Sequence, residues 1–442
     1  MPSHLSCPEH GNVLLIGGGG REHALAWKLC QSPRLGDLWL ANPGNAALDK
    51  LGKPCPRAMD MSDVWQMQHW CEQNDIHLVV VGPEVPLAKG IVDALTTETR
   101  MVFGPNKNAA QIEANKAFAR ELMKQVAIPK AEGRTFKDLQ PARHYVDAHE
   151  EPCVVKASGL AAGKGVIVCD TRDQAMDAVN RIMANREFGD AGKHIIIEEK
   201  LSGQEVSVLA LVDGSSIWLL DPCQDHKQLG EGDTGPNTGG MGAYCPTPIL
   251  DHETMAIIQR EIIVPTVDAL KREAIQYCGV LYAGIMLTPA GPKVLEFNCR
   301  FGDPECQTLM ARLKGDLFEI LWATCTGDLD NINIEFDPRT ACCVVMCSEG
   351  YPGKYQTGKV ITGIEEAEAM GSDDEIVKVF HAGTKIRDDG ALVTNGGRVL
   401  GVTALAADLQ AARDLANVAC EQIHFDGAFY RRDIGDRVLV TS

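Results

Sequence analysis

One segment, residues 294–305, alternates polar and apolar side chains in a way that suits a metal site. In an extended strand, Glu296, Asn298 and Arg300 fall on the same face. Carboxylate and amide oxygens are ligands for Mg²⁺ where it bridges nucleotide phosphates, so Glu296 and Asn298 are the predicted metal ligands. The preceding run, 280–287, is mostly apolar, and we therefore expect the second strand to be central in its sheet. The opposite face of the strand is predicted to pack on a core and carries Leu295, Phe297 and Cys299.

A run of four glycines, Gly17–Gly20, precedes Arg21, Glu22 and His23, between the first predicted strand and its helix. Glycines let backbone amides approach a phosphate, and a helix N-terminus adds a favourable field. A dinucleotide site is disfavoured, because Glu22 or His23 stands where the third glycine belongs and no carboxylate follows the second strand. A plain tight turn is the structural alternative, but four glycines are costly in chain entropy. We predict a site for a single phosphate or phosphosugar.

A second glycine-rich loop, Gly159–Gly165, joins two predicted strands. It is similar to a P-loop but is one residue too short between the glycines, and Gly165 stands where a hydroxyl would hold magnesium. A hairpin whose amides fold over a triphosphate fits the pattern better. Lys156 ends the strand before this loop and is predicted to be a phosphate-binding cation in the same cleft. By itself it would be interpreted as a solvated lysine at a strand end.

Two further segments give weaker signals. Residues 195–201 followed by Gly203-Gln204-Glu205 form a predicted strand, hinge and strand, where backbone groups can contact an adenine edge and Glu205 can hold ribose hydroxyls. Residues 224–227 and 233–242 make a long polar segment rich in glycine. Loops of that length in compact domains are commonly functional or disordered, so this segment is either a substrate loop or a flexible insertion.

The elements that must position these residues follow an α/β pattern. From residue 12 to 103, short apolar runs alternate with helical stretches, which predicts a parallel sheet whose carboxyl-end loops converge on one cleft. The predicted strands are Val13–Ile16, Leu38–Ala41, Leu78–Val81 and Met101–Phe103, and the predicted helices are Glu22–Leu29, Val64–Gln73 and Leu87–Leu95. Predicted domain boundaries give units 1–114, 115–337 and 338–442, with a mobile lid lobe at about 130–202.

Composition limits the partners. The 442 residues carry a net charge of −18, which disfavours binding to nucleic acid, and no apolar run approaches the roughly 20 residues of a membrane span. The 16 cysteines are scattered through apolar stretches without paired spacing, which is typical of reduced core thiols. We therefore predict a cytoplasmic protein without a membrane partner.

The segments together resemble the glycinamide ribonucleotide synthetases (phosphoribosylamine–glycine ligases) of the ATP-grasp superfamily. The resemblance covers nearly the whole chain after Asn12, and Arg300-Phe301-Gly302-Asp303-Pro304-Glu305 is its most specific part. Other matching segments are 19–24, 42–45, 81–84, 159–168, 224–227, 233–244, 351–353, 381–384 and 394–399. The resemblance implies a Rossmann-like N-terminal domain (pre-ATP-grasp), a two-lobed ATP-grasp domain and a small, mostly β C-terminal domain.

The resemblance also implies a reaction. ATP phosphorylates glycine, and the amine of 5-phosphoribosylamine attacks the glycyl phosphate in the second step of purine biosynthesis, with Mg²⁺ or Mn²⁺ as metal. The implied ATP-binding residues are Lys116, Lys156, Gly163, Lys164, Gly165, Glu198, Glu199, Leu201 and Glu205. The implied substrate-binding residues are Gly17, Gly19, Gly20, Arg21, Glu22, His23, Asn45, Glu84, Asp225, Thr238, Gly239 and Gly240. The implied catalytic residues are Arg300, Asp303 and Lys227, beside the metal ligands Glu296 and Asn298.

Departures from the family pattern are few. Gly18 stands where Asn or Ser is common, Ser158 where Asp is usual, and Gln228 where Arg is usual. The competing functions are a biotin-type or purine-pathway carboxylating enzyme, an NAD-binding oxidoreductase, and a non-catalytic nucleotide-binding regulator. We expect small-molecule partners only and a monomer, with a dimer as the alternative.

Overall fold

The structure, a computed structural model, describes residues 5–56, 63–149, 151–161, 163–372 and 374–439. Ala162 of the predicted glycine hairpin and Glu150 of the predicted lid lie outside these ranges. Within them, no helix is both long enough and apolar enough to cross a membrane.

The N-terminal unit is the predicted parallel sheet, with strand order β3-β2-β1-β4-β5. Its first strand is apolar on both sides, because helices cover both faces of the sheet. The predicted helix Leu87–Leu95 is in fact two helices, because Gly90 adopts a left-handed φ of +94° that ends one and begins the next. The elements are β1 Gly11–Ile16, α1 Gly20–Leu29, β2 Leu35–Leu40, β3 Lys53–Pro54, α2 Val64–Gln73, β4 Ile76–Val81, α3 Glu84–Lys89, α4 Ile91–Leu95, β5 Met101–Phe103, α5 Gln111–Ala114 and α6 Lys116–Gln125.

The next unit is an antiparallel sheet with strand order β6-β9-β7-β8, covered by two helices. It has a small hydrophobic core of its own, which includes Val155, Ile182 and Ile197. Its elements are β6 Gly133–Phe136, α7 Leu139–Asp147, β7 Cys153–Ala157, β8 Val166–Cys169, α8 Arg172–Val179 and β9 Ile195–Glu199. This separate core corresponds to the segment predicted as a lid.

The central sheet has the order β11-β10-β16-β17 and forms the floor of the molecule's main cleft. A long helical stretch runs from His252 to Arg272 and contains one wider turn between α9 and α10. The elements are β10 Gln204–Val212, β11 Ile217–Leu219, β12 Gln224–Asp225, β13 Gln228–Gly230, β14 Thr234–Asn237, β15 Gly242–Cys245, α9 His252–Ile258, α10 Val264–Arg272, β16 Gly279–Thr288, β17 Gly291–Asn298, α11 Glu305–Arg312 and α12 Leu317–Thr326.

The prediction that the metal strand is central in its sheet is wrong, because β17 is an edge strand. Its outer side is covered instead by other segments: the Val294 amide donates to Pro129 O (2.9 Å), and the Cys299 amide donates to a Glu113 carboxylate oxygen (2.7 Å). These bonds satisfy backbone groups that an open edge would expose. The apolar run 280–287, which suggested a central position, belongs to β16, and it is β16 that lies between two other strands.

The predicted alternation along the metal strand also needs a correction. The pairing of β16 with β17 shifts between Glu296 and Val294, so Leu295 is an extra residue in a β-bulge. The bulge places Val294, rather than Leu295, in the core together with Phe297 and Cys299. Leu295 lines the cleft instead, and Arg300 lies just beyond the end of the strand.

The polar segment 224–242 is not a flexible insertion. It forms four short strands, β12 to β15, of which β13 and β14 pair as a hairpin. Two arginines from the C-terminal end hold the turn of this hairpin, because Arg431 and Arg437 both donate to Asp233 at 2.6–3.0 Å. The segment is therefore anchored by ion pairs that its own composition does not reveal.

The C-terminal unit is a sheet with the order β12-β15-β18-β22-β19, so two of its strands come from the middle of the chain. The long helix of this unit, α14, packs on β18 and β22. The elements are β18 Thr340–Ser348, α13 Ile364–Glu368, β19 Ile376–His381, β20 Thr384–Ile386, β21 Leu392–Thr394, β22 Arg398–Ala406, α14 Leu409–Gln422, β23 Ala428–Phe429 and α15 Asp436–Leu439.

Candidate active site

A cleft of about 800 Å³ lies between the central sheet, the small antiparallel sheet and loops of the N- and C-terminal units. It collects most of the residues that the sequence singled out. The predicted site residues that line it are Arg21, Glu84, Lys116, Lys156, Gly163, Gly165, Glu198, Glu199, Leu201, Glu205, Asp225, Lys227, Thr238, Gly239, Glu296, Asn298, Arg300 and Asp303.

A second cavity of about 460 Å³ adjoins the cleft, since Asp303 and Arg398 line both. The predicted residues Gly19, Gly20 and Asn45 line this cavity, at the N-terminus of α1. Five predicted residues line neither space: Gly17, Glu22, His23, Lys164 and Gly240.

Glu296 and Asn298 face the cleft from the end of β17. The Lys227 ammonium lies 3.9 Å from a Glu296 carboxylate oxygen, and Arg300 donates to the Asn298 side-chain oxygen at 3.3 Å. Enclosure by the cleft walls raises the pKa of Glu296, but the charges of Lys227, Lys116 and Lys156 outweigh it and hold that pKa below its usual range. The carboxylate is therefore ionised at neutral pH.

The donor set at β17 fits Mg²⁺. Among the described residues no group of three or more His, Cys, Asp or Glu side chains is arranged to hold a metal ion. A pair of hard oxygen ligands that leaves its other positions to phosphate oxygens and water is the usual protein contribution to a nucleotide-bound Mg²⁺. Glu296 and Asn298 supply such a pair.

Two lysines carry positive charge into the same region. Lys156, at the end of β7, donates to Leu295 O (3.1 Å) and forms an ion pair with Glu198. Glu198 also accepts from Arg120 at 3.0 Å, so the Lys156 ammonium is held in one position. Burial lowers the pKa of Lys116, at the start of α6, and nearby Glu296 partly restores it. Together these lysines suit the phosphates of a nucleotide.

The predicted adenine hinge follows β9. The Glu199 carboxylate accepts from the Glu132 amide (3.0 Å) and from Lys293 (2.9 Å), so this side chain fixes the hinge to the central sheet. The carboxylates of Glu198 and Glu199 are thus occupied by protein groups. Backbone atoms of the hinge, with Leu201, line the cleft and remain the groups suited to a base edge.

A cluster of alternating charges occupies the far side of the cleft. Lys227 lies between Glu205 (3.1 Å) and Glu296 (3.9 Å), beside buried Asp225. Burial raises the pKa of Asp225 to about 7, although Lys227 opposes the shift. Thr238 is held beside this cluster, since its amide and its hydroxyl both donate to Lys227 O, at 2.7 and 2.8 Å.

Arg300 and Asp303 are oriented by charged and polar neighbours, of which Glu113, Arg398 and Gln307 lie outside the predicted set. Arg300 donates to Glu113 at 3.0 Å and lies 3.7 Å from Glu84, so two carboxylates from the N-terminal unit hold its guanidinium. The Asp303 carboxylate accepts from Arg398 and from Gln307, both at 2.8 Å. Burial raises the pKa of Asp303, but Arg398 and Arg21 hold it below the usual range.

The first glycine loop supplies backbone rather than side chains. The Gly19 amide donates to the Glu22 carboxylate (2.7 Å), which also accepts from Arg21 (2.7 Å). His23 is buried and accepts the His381 amide at 2.8 Å, and burial lowers the pKa of His23 to about 3. The positions of Glu22 and His23 therefore do not support their predicted substrate contacts. Glu22 instead holds the loop itself, and His23 attaches it to the C-terminal unit.

Asn45 has a similar structural role. Its side-chain nitrogen donates to Gly18 O (3.0 Å) and to His381 O (2.8 Å), and its oxygen accepts from the Ala47 amide (3.2 Å). The side chain is fully occupied and forms part of the wall of the second cavity. Gly163 adopts a left-handed φ of +74°, which suits a tight hairpin over the cleft. The Lys164 side chain donates to Pro352 O at 3.4 Å, which connects this hairpin with the C-terminal unit.

Sequence reasoning missed the contribution of the C-terminal unit and of Glu113. Tyr351, Thr384, Asn395 and Arg398 line the second cavity, although their motifs were noted only as matching segments. The signal that was available is the charged Arg398 directly after two glycines at a strand start. Glu113 gave no signal, because a lone carboxylate on a short helix is common on protein surfaces.

The chain matches three family models that follow one another along its length. These are the N domain of phosphoribosylglycinamide synthetase at residues 11–113, its ATP-grasp (A) domain at 114–306 and its C domain at 341–437. A phosphoribosylamine–glycine ligase from Rhodopirellula baltica is 53% identical over 439 residues, covering 98% of each chain. These matches exclude the oxidoreductase alternative.

Solved structures agree with this assignment. The phosphoribosylamine–glycine ligase of Thermotoga maritima superposes with a TM-score of 0.77 at 29% identity, covering 96% of this chain and 100% of that one. The biotin carboxylase domain of Hydrogenobacter thermophilus 2-oxoglutarate carboxylase, solved with MgADP and bicarbonate, has a TM-score of 0.71 and covers 95% of this chain and 91% of that one. At 16% identity it shares the fold alone. The predicted family, fold class and ligase activity are thereby confirmed, and the chain belongs to the phosphoribosylglycinamide synthetase family of ATP-grasp ligases.

Proposed function

We propose that the two adjoining cavities carry out the family's reaction, with ATP and metal in the cleft and 5-phosphoribosylamine reaching it from the second cavity. The observation that carries this proposal is the position of Glu296 and Asn298, which face a lysine-lined cleft covered by a glycine hairpin. That combination provides hard metal ligands, phosphate-binding cations and backbone amides within one space.

On the nucleotide side, Lys116, Lys156 and the amides of Gly163 and Gly165 hold the phosphates, and the hinge after β9 contacts the base. Glu205 lies beside Lys227 at 3.1 Å and is placed to accept ribose hydroxyls. Mg²⁺, or Mn²⁺ with the same ligand preference for oxygen, would be held by Glu296 and Asn298 and would neutralise charge on the phosphates. The small antiparallel sheet at 130–202 acts as a lid, which its separate core supports.

On the acceptor side, the carboxylate of glycine takes the terminal phosphoryl group of ATP and releases ADP. The amine of phosphoribosylamine then attacks the acyl carbon, forms the amide bond and expels phosphate, while the amine loses a proton. Arg300, fixed by Glu113 and Glu84, stabilises negative charge on the acyl phosphate. The Gly20 amide at the start of α1 is placed to bind the 5-phosphate, as helix N-termini do for anions, and Gly19 lines the same cavity while its own amide donates to Glu22.

The remaining predicted residues receive roles by position. Lys227, Asp225 and Thr238 line the cleft beside Glu296 and bind glycine and the phosphoribosylamine amine. Asp303, which lines both cavities, is placed to contact the sugar between them. No Ser, Cys or His nucleophile is needed, because the activated intermediate is made from the substrate itself.

The wider assignments are proposals as well. We retain the domain boundaries 1–114, 115–337 and 338–442, small-molecule partners without nucleic acid, a monomer with a dimer as the alternative, and a cytoplasmic location. Buried cysteines such as Cys223, Cys306 and Cys343 are free thiols, which suits a reducing compartment, and the net charge of −18 opposes binding to polyanions.

A coupled assay for ADP release tests the function. Turnover should require ATP, Mg²⁺, glycine and phosphoribosylamine generated in the assay. It should fall at least tenfold when free alanine is supplied as the amino acid substrate instead of glycine. The control replaces glycine and the amine with bicarbonate, the substrate of the carboxylases that share the fold. Equal turnover with bicarbonate would refute the proposal.

A further inference from the structure

Arg398 stands at the boundary between the two cavities, at the first residue of β22 in the C-terminal unit. Its side chain is about one-fifth exposed. No described hydrogen bond joins the Arg398 side chain to Glu296, to Asn298 or to the residues proposed to bind ATP. Its partners are two loops that come from different parts of the chain and line the acceptor side.

The guanidinium bridges these loops with several hydrogen bonds. One terminal nitrogen donates to Gly239 O (2.7 Å) and to Asp303 O (2.8 Å), and the other donates to the Asp303 carboxylate (2.8 Å). Arg398 therefore fixes both the backbone and the side chain of the Asp303 loop. A planar group with donors in a fixed fork can satisfy two loops at once.

Tyr351 completes the same arrangement. Its hydroxyl accepts a hydrogen bond from the Gly239 amide at 2.9 Å, and Arg398 donates to the Gly239 carbonyl oxygen. Two residues of the C-terminal unit therefore hold both backbone polar groups of Gly239. A Cβ at position 239 would lie 3.1 Å from the Arg398 guanidinium carbon and 3.3 Å from the Tyr351 oxygen. The loop is thus packed directly on these side chains, and any shift of Arg398 must move it.

We propose that Arg398 is a positioning residue for the acceptor side of the reaction: it holds the Gly239 and Asp303 loops in register so that glycine and phosphoribosylamine meet at the acyl phosphate. Tyr351 assists it at Gly239. The inference rests on the proposed function, which places both acceptor substrates beside these loops. Because Arg398 acts through the position of these two loops, its loss should weaken the binding of glycine and phosphoribosylamine and leave the binding of ATP unchanged.

The test is steady-state kinetics on Arg398→Lys, Arg398→Ala and Tyr351→Phe in the full chain, with KM measured for each substrate. Arg398→Lys should raise KM for phosphoribosylamine and glycine at least tenfold, because one ammonium cannot reproduce the fork, and should leave KM for ATP within twofold. Tyr351→Phe, which removes one hydroxyl, should give a two- to fivefold change of the same kind. Arg387→Ala is the matched control, since this exposed arginine of the same unit pairs only with Asp389 among its described partners and lines neither cavity.

Circular dichroism and Tm measurements show whether each variant is folded. If Arg398→Ala does not fold, Arg398→Lys and Tyr351→Phe still decide the result. Folded Arg398 variants with acceptor KM values within twofold of wild type overturn the inference, and so does an equal rise in KM for ATP. Absence of glycine-dependent ADP release in the wild-type enzyme would instead overturn the proposed function, and the inference with it.

Discussion

Replacing Glu296 with glutamine tests the metal assignment with little change of shape. The variant keeps an oxygen of similar position but loses the negative charge that faces Lys227 at 3.9 Å and lies near Lys116 and Lys156. A metal ion arriving at this site would then meet Asn298 and three cations without a compensating carboxylate. We expect the affinity for Mg²⁺ and the rate of the phosphoryl transfer to fall together.

The structure gives the size of the effect. Two unit charges about 4 Å apart interact by about 4 kcal/mol at an effective dielectric of about 20, which is appropriate for a partly open cleft. A divalent ion in direct contact would be closer and more strongly charged, whereas the glutamine oxygen and water recover part of the loss. A net change of about 4 kcal/mol corresponds to roughly a thousandfold in kcat/KM.

The assay is ADP release as a function of Mg²⁺ concentration, with glycine and phosphoribosylamine saturating. Glu296→Gln should require at least tenfold more Mg²⁺ and should remain far below wild-type turnover at saturation. Glu273→Gln, an exposed change after α10, is the control. A folded Glu296→Gln enzyme with wild-type Mg²⁺ dependence and more than a tenth of wild-type kcat would refute the reasoning.

Three further predictions concern charge. Lys156→Met should raise KM for ATP at least tenfold, because the variant loses a charge-assisted hydrogen bond to a phosphate, which is worth about 1.5–3 kcal/mol. Lys193→Met, an exposed change in the same small sheet unit, is the control, and an unchanged KM for ATP in Lys156→Met would contradict the assignment. Burial raises the pKa of Asp225 from 3.8 to about 7, so between these pH values the folded protein holds a proton that the unfolded chain has released, and stability falls as the pH rises. The Tm of Asp225→Asn should therefore fall less than that of wild type from pH 5 to 8, and parallel plots of Tm against pH would refute this. Burial lowers the pKa of His23 from 6.5 to about 3, so the unfolded chain binds a proton that the folded protein does not, and stability is lost as the pH falls below 6.5. His23→Gln should therefore lose less Tm than wild type between pH 7 and 5, and an equal loss in both proteins would contradict the pKa shift.

Much of this architecture is predictable from local pattern. Short apolar runs separated by helical stretches define the parallel sheet, and period-two spacing places Glu296 and Asn298 on one face. The glycine hairpin after Lys156 has the expected strands on either side. These features depend on neighbours within a few residues, so the sequence carries them directly.

The remainder depends on partners far away in the chain. The bulge at Leu295 and the edge position of β17 follow from segments near Pro129 and Glu113, which no local pattern connects to the strand. The internal role of His23 depends on His381, 358 positions later. A side chain that looks available for substrate in a motif can be used by such a distant contact.

The C-terminal sheet contains two strands from the middle of the chain, and this has a consequence for truncated or proteolysed forms of the protein. Because β12 and β15 are hydrogen-bonded into the sheet built by β18, β22 and β19, a truncation before residue 340 removes β18 and leaves β15 paired only with β12. The hairpin of β13 and β14 then also loses its contacts with Arg431 and Arg437. The small sheet β6-β9-β7-β8 pairs only its own strands among the described residues, so we expect a protease nick within it to disturb the rest of the molecule less than a cut before residue 340 does. We therefore expect this small sheet to tolerate replacement by the matching segment of a relative better than the residues after 340 do, because those residues hold β15 and the hairpin turn in place.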